Sequence, residues 1–148
     1  MVHGVVAIGR MMAGEYEALV DSDAWVGLFS PKDAHHQEVS KIFNKLKNTK
    51  MSIVTTSAVE GETATVLSHE VGQHVAGDFV ASLATIQVPI IHIDEELHDR
   101  AIEWFIDQNR RGTSYVDCTN IAVMERYDIP KILSFDQFYF KDFGLKSV

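Results

Sequence analysis

The chain has 148 residues, of which 46% are hydrophobic and 23% are charged, and this is the size and composition of one globular domain, so disorder and two full-size domains are excluded. The net charge of −8 argues against a protein that coats nucleic acid with a basic face. A metal-dependent nuclease remains open, because its carboxylates hold cations and these cations supply the positive charge that contacts the phosphate of the nucleic acid. Every apolar run is shorter than a membrane-spanning helix and Cys118 is the single cysteine, so we expect a soluble, cytoplasmic protein with no disulfide and no membrane association.

The first 17 residues carry a short apolar patch and one arginine, without the long hydrophobic block of a signal peptide. We therefore expect a flexible leader or extension over residues 1–17 and a single domain over residues 18–148. Met12 would serve as a start as well as Met1, so the sequence leaves open whether residues 1–11 are native.

From residue 18 onward, short apolar runs alternate with longer stretches at helical spacing. The short runs are nearly continuous in apolar character, as strands buried on both faces of a parallel sheet are. They fall at residues 18–20, 52–54, 88–91 and 131–134. The pattern predicts one α/β domain with a central, mostly parallel sheet of four to five strands flanked by helices.

Helices are predicted between these strands from caps and apolar stripes. Ser30 and Pro31 predict an N-cap and first turn, followed by an i, i+3, i+4, i+7 stripe of Val39, Ile42, Phe43 and Leu46. The next segment predicts an antiparallel pair of helices, one capped by Ser57 and running to about residue 68, the other covering about residues 71–86.

The second half of the chain predicts two further helices and an aromatic tail. Asp94 and two glutamates begin the first, which ends at residues 110–112 and points four side chains inward: Leu97, Ala101, Trp104 and Phe105. The second covers about residues 115–127. The aromatic tail is expected to join the core or a dimer interface, and it comprises Phe135, Phe138, Tyr139, Phe140 and Phe143.

Two aspartates follow predicted strands. Asp21 ends the first strand, and Asp136 comes shortly after the last. The carboxyl ends of parallel strands face the ligand crevice, so both side chains are expected in one shared cleft. Either residue alone is also an ordinary helix cap, but the two together favour a site.

Asp117 lies on one helical stripe with Ile121 and Met124, and that stripe should face the core. A buried carboxylate needs a partner, and no lysine or arginine lies three or four residues away to neutralise it. The alternative is that Asp117 is a first-turn residue favoured by the helix dipole.

Glu60 and Glu62 lie in the predicted helix after the second strand. Two residues apart on a helix, they point about 200° away from one another, so only one can enter a cleft. Helical geometry does not choose between them.

Three segments together resemble a PIN domain, most closely the VapC-type toxin branch of bacterial and archaeal toxin–antitoxin pairs. The segments are ALVDSDAWVGLF, SIVTTSAVEGETATVL and GTSYVDCTNIAVMERYDIPKILSFDQFY, which span about residues 18–143 in order. The resemblance implies a metal-binding pocket made of Asp21, Glu62, Asp117 and Asp136, and its Thr-Thr then E-x-x-T pattern selects Glu62 over Glu60. Asp23 stands where the family usually has Asn or Ser, and it receives a secondary role. Thr119 and Asn120 lie beside Asp117 and also receive a secondary role, either as donors to a metal-bound water or as plain residues of the helix surface.

The resemblance implies an endoribonuclease that uses Mg²⁺ or Mn²⁺ to activate water and leaves 5′-phosphate and 3′-hydroxyl ends. It also implies a cognate antitoxin and a homodimer. The residue types agree, because these cations take oxygen ligands and because clustered carboxylates repel one another until a cation arrives. Candidate RNA contacts are Arg110, Arg111 and the lysines between residues 41 and 50.

Three other interpretations are open or weaker. The string LVDSDAWV resembles the first motif of haloacid-dehalogenase phosphatases, with Asp21 as nucleophile and Asp23 as acid/base, but the downstream lysine and paired-acid loop are missing. A PIN-like RNA-processing nuclease that is not a toxin stays open. A non-catalytic binding module has no need for a costly carboxylate cluster.

The histidines do not predict a zinc site. His69 and His74 are five residues apart, which does not fit the four-residue spacing of a helical zinc site, and His35 and His36 are expected to be exposed.

Overall fold

The computed structural model describes residues 14–148, apart from the side chain of residue 142. Most of the predicted extension, residues 1–13, lies outside the described residues. Residues 14–17 lie on the domain: the Gly14 amide donates to the Tyr127 carbonyl, the Glu17 amide donates to the Ser52 carbonyl, and the Tyr16 side chain is buried.

Within residues 14–148, five strands, six α-helices and one π-helical turn follow one another. In order, they are β1 (Ala18–Val20), α1 (Ser22–Phe29), α2 (His36–Lys47), β2 (Ile53–Thr56), α3 (Ser57–Glu70), α4 (Gln73–Thr85), β3 (Ile90–Ile91), α5 (Glu95–Ile106), α6 (Tyr115–Tyr127), β4 (Lys131–Leu133), the π-helical turn (Phe138–Asp142) and β5 (Lys146–Ser147). The strand order is β3-β2-β1-β4-β5, and every neighbouring pair is parallel. The predicted α/β architecture is confirmed, with five strands.

The sheet is covered on both faces because its strands are apolar at consecutive positions. Leu19 and Ile132 belong to one core cluster, which includes side chains of α5, α6 and the π-helical turn. Val20 and Leu133 belong to the other, which includes side chains of α1 to α4. Successive side chains of a strand point to opposite faces, so each strand contributes to both cores.

Helix α1 is absent from the sequence prediction. Asp21 is its N-cap, and Ser30, predicted to begin a helix, ends this one by donating its amide to the Val26 carbonyl. The helix that follows begins only at His36. The apolar run of α1 contains a fully buried Trp25, whose Nε1 donates to Thr55 Oγ1 at 3.2 Å, so tertiary burial rather than a visible stripe defines it.

The junction between β2 and α3 has no loop. Thr56, rather than the predicted Ser57, is the N-cap and accepts from the Val59 amide at 3.0 Å. The Ser57 hydroxyl instead accepts from the Ile93 amide beyond β3. Gly72, with φ of +149°, separates α3 from α4 in a conformation that residues with a side chain rarely adopt.

Helix α5 begins as predicted, with the Asp94 carboxylate accepting from the Leu97 amide at 2.8 Å. It ends at Ile106 rather than at residues 110–112. Phe105, predicted to point inward, is 44% exposed, because it lies in the last turn and beyond the buried Leu97 and Ala101. No helix within residues 14–148 is long and apolar enough to cross a membrane.

Candidate active site

The sheet topology brings five acidic residues to the carboxyl ends of its central strands. Asp21 and Asp23 follow β1, and Asp136 follows β4. Helix α3 starts directly at the end of β2 and carries Glu62 in its second turn, while Asp117 lies in the first turn of α6, the helix that precedes β4. These five residues are called the acid cluster below.

Asp21 lies at the centre of the acid cluster and is 4% exposed. Its Oδ1 accepts from the Ser22 amide at 2.8 Å and from Asn120 Nδ2 at 3.0 Å, and its Oδ2 accepts from the Ser134 hydroxyl at 3.0 Å. Because these donors come from the start of α1, from α6 and from the residue after β4, the carboxylate is fixed from three directions.

Ser134 connects three of the aspartates, although no sequence pattern singles it out. Its hydroxyl lies 3.0 Å from Asp21 Oδ2 and 3.2 Å from Asp23 Oδ2, and it accepts from the Asp136 amide at 3.1 Å. Asp23 Oδ2 also accepts from the Phe135 amide at 2.8 Å. Asp23 therefore connects α1 to the residues that follow β4. The secondary role predicted for it did not include this structural connection.

Asp117 is joined to Asp21 through two neutral side chains. The Tyr139 hydroxyl donates to Asp117 Oδ1 at 3.0 Å and lies 2.9 Å from Asn120 Nδ2, which also reaches Asp21. Asp117 also forms a capping box with Ser114. The Asp117 carboxylate accepts from the Ser114 amide, and the Asp117 amide donates to the Ser114 hydroxyl. Asp117 is thus a first-turn residue of α6, as the second interpretation has it, and it is half-buried rather than fully buried on the core stripe of that helix. Its partners are a phenol and backbone, so it needs no lysine or arginine in the neighbouring turns.

The remaining two members lie at the rim. Glu62 is half-buried and accepts a short hydrogen bond from the Ser22 hydroxyl, and no such contact joins Glu60 to the cluster within the described residues. Asp136 Oδ1 accepts from Arg110 at 3.1 Å and from the Phe138 amide at 2.9 Å. Within residues 14–148, the pair of Arg110 and Asp136 is the one salt bridge that involves an acid of the cluster.

Two predicted residues do not join the acid cluster directly. Thr119 is fully buried and donates its hydroxyl to the Val116 carbonyl at 2.7 Å, which is a local helix contact. Arg111 is exposed in the loop before α6.

The residues of the aromatic tail differ in burial: Phe138 and Tyr139 are buried in the core, whereas Phe135 is half-buried. His35 and His36 are also half-buried, and not exposed as predicted, because loop 30–35 folds onto α1.

Burial and mutual repulsion disfavour the ionised acids at the centre. Burial first, then the charges of Asp23 and Asp117, raises the pKa of Asp21 to about 7, although the Ser22 amide and Ser134 hydroxyl oppose the shift. Burial likewise raises the pKa of Asp23. Burial together with Asp21 and Asp117 raises the pKa of Tyr139 well above its usual value, so its hydroxyl remains a donor.

The donor set fits a hard divalent cation. All five acids offer oxygen ligands. Two buried oxygens, Oδ1 of Asp23 in the cluster and Oδ1 of Asn120, which bonds to Asp21, have no hydrogen-bond partner within the described residues. Uncompensated negative charge and orphaned acceptors are what a bound cation or its water would satisfy. Within residues 14–148, however, no three carboxylate, imidazole or thiol groups are already arranged around one point as a metal's ligands. The acids are instead occupied by the internal hydrogen bonds described above.

Together, the parallel sheet and the acid cluster at its carboxyl edge define an α/β protein with an oxygen-rich acidic site. The chain belongs to the PIN domain family, whose family model matches residues 18–144. It is 29% identical over 117 residues to the 23S rRNA-specific endonuclease VapC20 of Mycobacterium tuberculosis, an alignment that covers 79% of this chain and 87% of that protein.

Solved structures agree with this assignment. The crystal structure of Mycobacterium tuberculosis VapC20, described as a Sarcin-Ricin loop cleaving toxin, superposes with a TM-score of 0.80 at 27% identity, covering 89% of this chain and 98% of that one. VapBC2 from Rickettsia felis, bound to a DNA fragment from its promoter, shares the fold with a TM-score of 0.65 at 11% identity, over 88% and 96% of the two chains. A toxin–antitoxin complex from Klebsiella pneumoniae gives a TM-score of 0.59 at 14% identity over 84% and 91%. The chain is thus VapC-like, and the resemblance to haloacid-dehalogenase phosphatases is confined to one string of residues.

Proposed function

We propose that this protein is the ribonuclease toxin of a type II toxin–antitoxin pair and hydrolyses phosphodiester bonds of ribosomal RNA. The observation that carries the proposal is the acid cluster, in which five carboxylates from four segments of the chain meet at the carboxyl edge of a PIN-domain sheet. The similarity to VapC20 over nearly the full length of both chains supports the substrate class. Because VapC20 is a Sarcin-Ricin loop cleaving toxin, the sarcin–ricin loop is the RNA target to test first.

The proposed cofactor is Mg²⁺ or Mn²⁺, held by Asp21, Glu62, Asp117 and Asp136. Such a cation, when bound, lowers the pKa of a coordinated water and stabilises charge on the phosphate. The chain's own residues prepare the site for it. Asn120 and Ser134 fix the direction of the Asp21 carboxylate, and the Tyr139 hydroxyl does the same for Asp117.

Substrate binding is assigned to positive groups at the rim, because the acids themselves repel a phosphate chain. Arg110 lies against Asp136, and Arg111 follows it in an exposed loop. A phosphate that enters the cleft would compete with Asp136 for the Arg110 guanidinium, whose fork of donors suits phosphate oxygens.

The proposal includes a cognate antitoxin, a homodimer and action in the cytoplasm. The support is the VapBC and toxin–antitoxin identity of the structural neighbours, together with the family's implied assembly. Co-purification with the co-expressed product of a neighbouring gene, and the mass of the free protein in solution, test the first two.

The decisive experiment compares RNA cleavage by the wild type and two aspartate variants. Asp117→Asn removes one charge of the acid cluster, and Asp128→Asn, at the exposed C-cap of α6, is the matched control. The substrates are a hairpin with the sarcin–ricin loop sequence and an unstructured RNA of equal composition. We expect Mg²⁺- or Mn²⁺-dependent cutting of the hairpin to 5′-phosphate ends, at least about 100-fold slower in Asp117→Asn and unchanged in Asp128→Asn.

Full cleavage in EDTA would contradict the metal-dependent mechanism. Turnover of a small aryl phosphate with RNA left intact would favour a phosphatase instead. Induced expression in bacteria separates a toxin from a processing nuclease, because a toxin arrests growth and its Asp117→Asn variant does not.

A further inference from the structure

One aromatic pair at the cleft is arranged differently from the others. The rings of His35 and Phe135 are stacked, with centroids 3.9 Å apart and planes inclined by 4°. The other aromatic pairs within residues 14–148 are tilted or edge-on. Both residues are half-buried, and Phe135 also packs against the core cluster of α1 to α4.

The stack is held in place by the elements that build the acid cluster. The Phe135 amide donates to Asp23 Oδ2 at 2.8 Å, and Phe135 lies between Ser134 and Asp136 in the chain. On the opposite side, the His35 amide donates to Asp33 Oδ1 at 2.8 Å. His36 Nδ1 lies 2.7 Å from the Gly27 carbonyl, which fixes loop 30–35 on α1. Both residues of the pair are therefore held in place by hydrogen bonds, and the backbone of Phe135 contacts Asp23 of the acid cluster.

We propose that the His35–Phe135 stack binds one nucleobase of the RNA substrate, next to the phosphate that the acid cluster attacks. The inference rests on the proposed function, and it adds a substrate-positioning site that the acids alone do not provide. Single-stranded loops of RNA are recognised by unstacked bases lying on aromatic faces, histidine among them. A base is favoured over a protein side chain because the stack adjoins the residues that must approach the phosphate backbone.

The test places 2-aminopurine, a fluorescent base quenched by stacking, at each loop position of the sarcin–ricin hairpin in turn. Binding is measured with the Asp117→Asn protein, so that cleavage does not interfere. Into it we introduce His35→Ala, His35→Tyr, His35→Lys and, as a matched control, His74→Ala, which alters an exposed histidine of α4. Melting temperatures verify that each variant is folded.

We expect one loop position to be quenched by the parent protein and to lose its quenching in His35→Ala. Affinity should fall roughly five- to tenfold, return to within about twofold in His35→Tyr, and remain unchanged in His74→Ala. With Asp117 intact, His35→Ala should raise KM while leaving kcat nearly unchanged. A purely structural role would not change fluorescence at a single position.

Equal quenching at every position in parent and His35→Ala would overturn the inference. So would a uniform loss of affinity rescued by His35→Lys but not by His35→Tyr, since the imidazole would then act as a cation. If RNA binding is unaffected but His35→Ala weakens a complex with the antitoxin, the surface binds protein and the inference is wrong. If the wild type neither binds nor cuts any RNA, the proposed function fails first and the base site falls with it.

Discussion

At the scale of single residues, the chemistry of the site depends on the cost of ionising Asp21. Three hydrogen bonds orient this carboxylate, yet burial and two neighbouring acids raise its pKa to about 7. The folded protein therefore keeps a proton on Asp21 between about pH 4 and pH 7, where the unfolded chain has lost it. Stability falls as pH rises through this interval, because the folded state binds more protons there than the unfolded state does.

Replacing Asp21 by asparagine should consequently stabilise the metal-free protein while abolishing cleavage. The amide is isosteric and cannot ionise, so it avoids a cost on the order of a few kcal/mol at pH 8. We expect a melting temperature about 5 °C above that of the wild type at pH 8, shrinking towards zero at about pH 4.5. Mg²⁺ or Mn²⁺ should raise the melting temperature of the wild type and have little effect on the variant.

Differential scanning calorimetry in EDTA, at both pH values, measures the effect. Asp128→Asn is again the control, because its exposed side chain should give no pH-dependent difference. An Asp21→Asn protein that melts below the wild type at pH 8 would show that the missing charge-assisted bonds outweigh the relieved repulsion.

The sequence pattern selects some residues of the candidate site and not others. Asp21 and Asp136 could be identified because each follows an apolar strand, and Asp117 because it interrupts an apolar stripe. Ser134 and Tyr139 could not be selected, since a serine after a strand and a tyrosine in an aromatic tail are ordinary residues. Their part depends on the hydroxyl geometry that long-range packing creates, across 113 residues in the bond between Ser134 and Asp21.

At the scale of elements, local patterns predicted strands and amphipathic helices well, and α1 poorly. Its sequence SDAWVGLF has polar residues only at its start, because most of the helix is buried against the sheet and its neighbours. A short, apolar helix of this kind has no periodic stripe to detect. The displaced cap of α3 has a similar cause, since Thr56 and Ser57 have equal capping chemistry and the contact of Ser57 with Ile93 decides between them.

Gly27 in α1 shows what the packing of these helices requires. A Cβ at this position would lie 3.2 Å from Cγ1 of the fully buried Val39 in α2, and 3.6 Å from Cβ of His35. A Cβ at Gly77 in α4 would meet nothing within 4 Å in the described part of the chain. Both glycines are helical, so alanine gains about 1 kcal/mol of intrinsic helix stability at either position.

We therefore expect Gly77→Ala to increase the free energy of unfolding by about 0.5–1 kcal/mol. Gly27→Ala should decrease it by about 1 kcal/mol, because overpacking a buried contact costs more than the helix gains. Urea denaturation of the two variants gives the comparison directly. Equal stabilisation by both substitutions would mean that α2 moves away from α1 without cost.

At the scale of the whole molecule, the distribution of charge matters more than its sum. The chain carries a net charge of −8, and five of its acids surround the site. Its lysines and arginines are not spread evenly. Arg110 is ion-paired with Asp136, and Arg111 follows it in the chain. Lys47 and Lys50 lie at the other end of the sheet, just before Ser52, which bonds to Glu17 ahead of β1. Repulsion between the whole protein and RNA must therefore be overcome by a few local contacts.

The salt dependence of RNA binding tests whether the arginines make these contacts. Each phosphate that a cationic side chain neutralises releases counterions, so removing one such side chain flattens the slope of log affinity against log salt by about 0.7 for single-stranded RNA. We expect the double variant Arg110→Ala, Arg111→Ala to bind the hairpin more weakly and to flatten the slope by about one to two. Lys47 and Lys50 are also candidate RNA contacts from the sequence, but they lie at the end of the sheet opposite the acid cluster. The double variant Lys47→Ala, Lys50→Ala changes the net charge equally and should therefore leave the slope almost unchanged. Fluorescence anisotropy between about 50 and 300 mM salt, in the Asp117→Asn background, measures both. Identical slopes in the two double variants would mean that RNA responds only to the total charge, and the assignment of the arginines to phosphate binding would then be wrong.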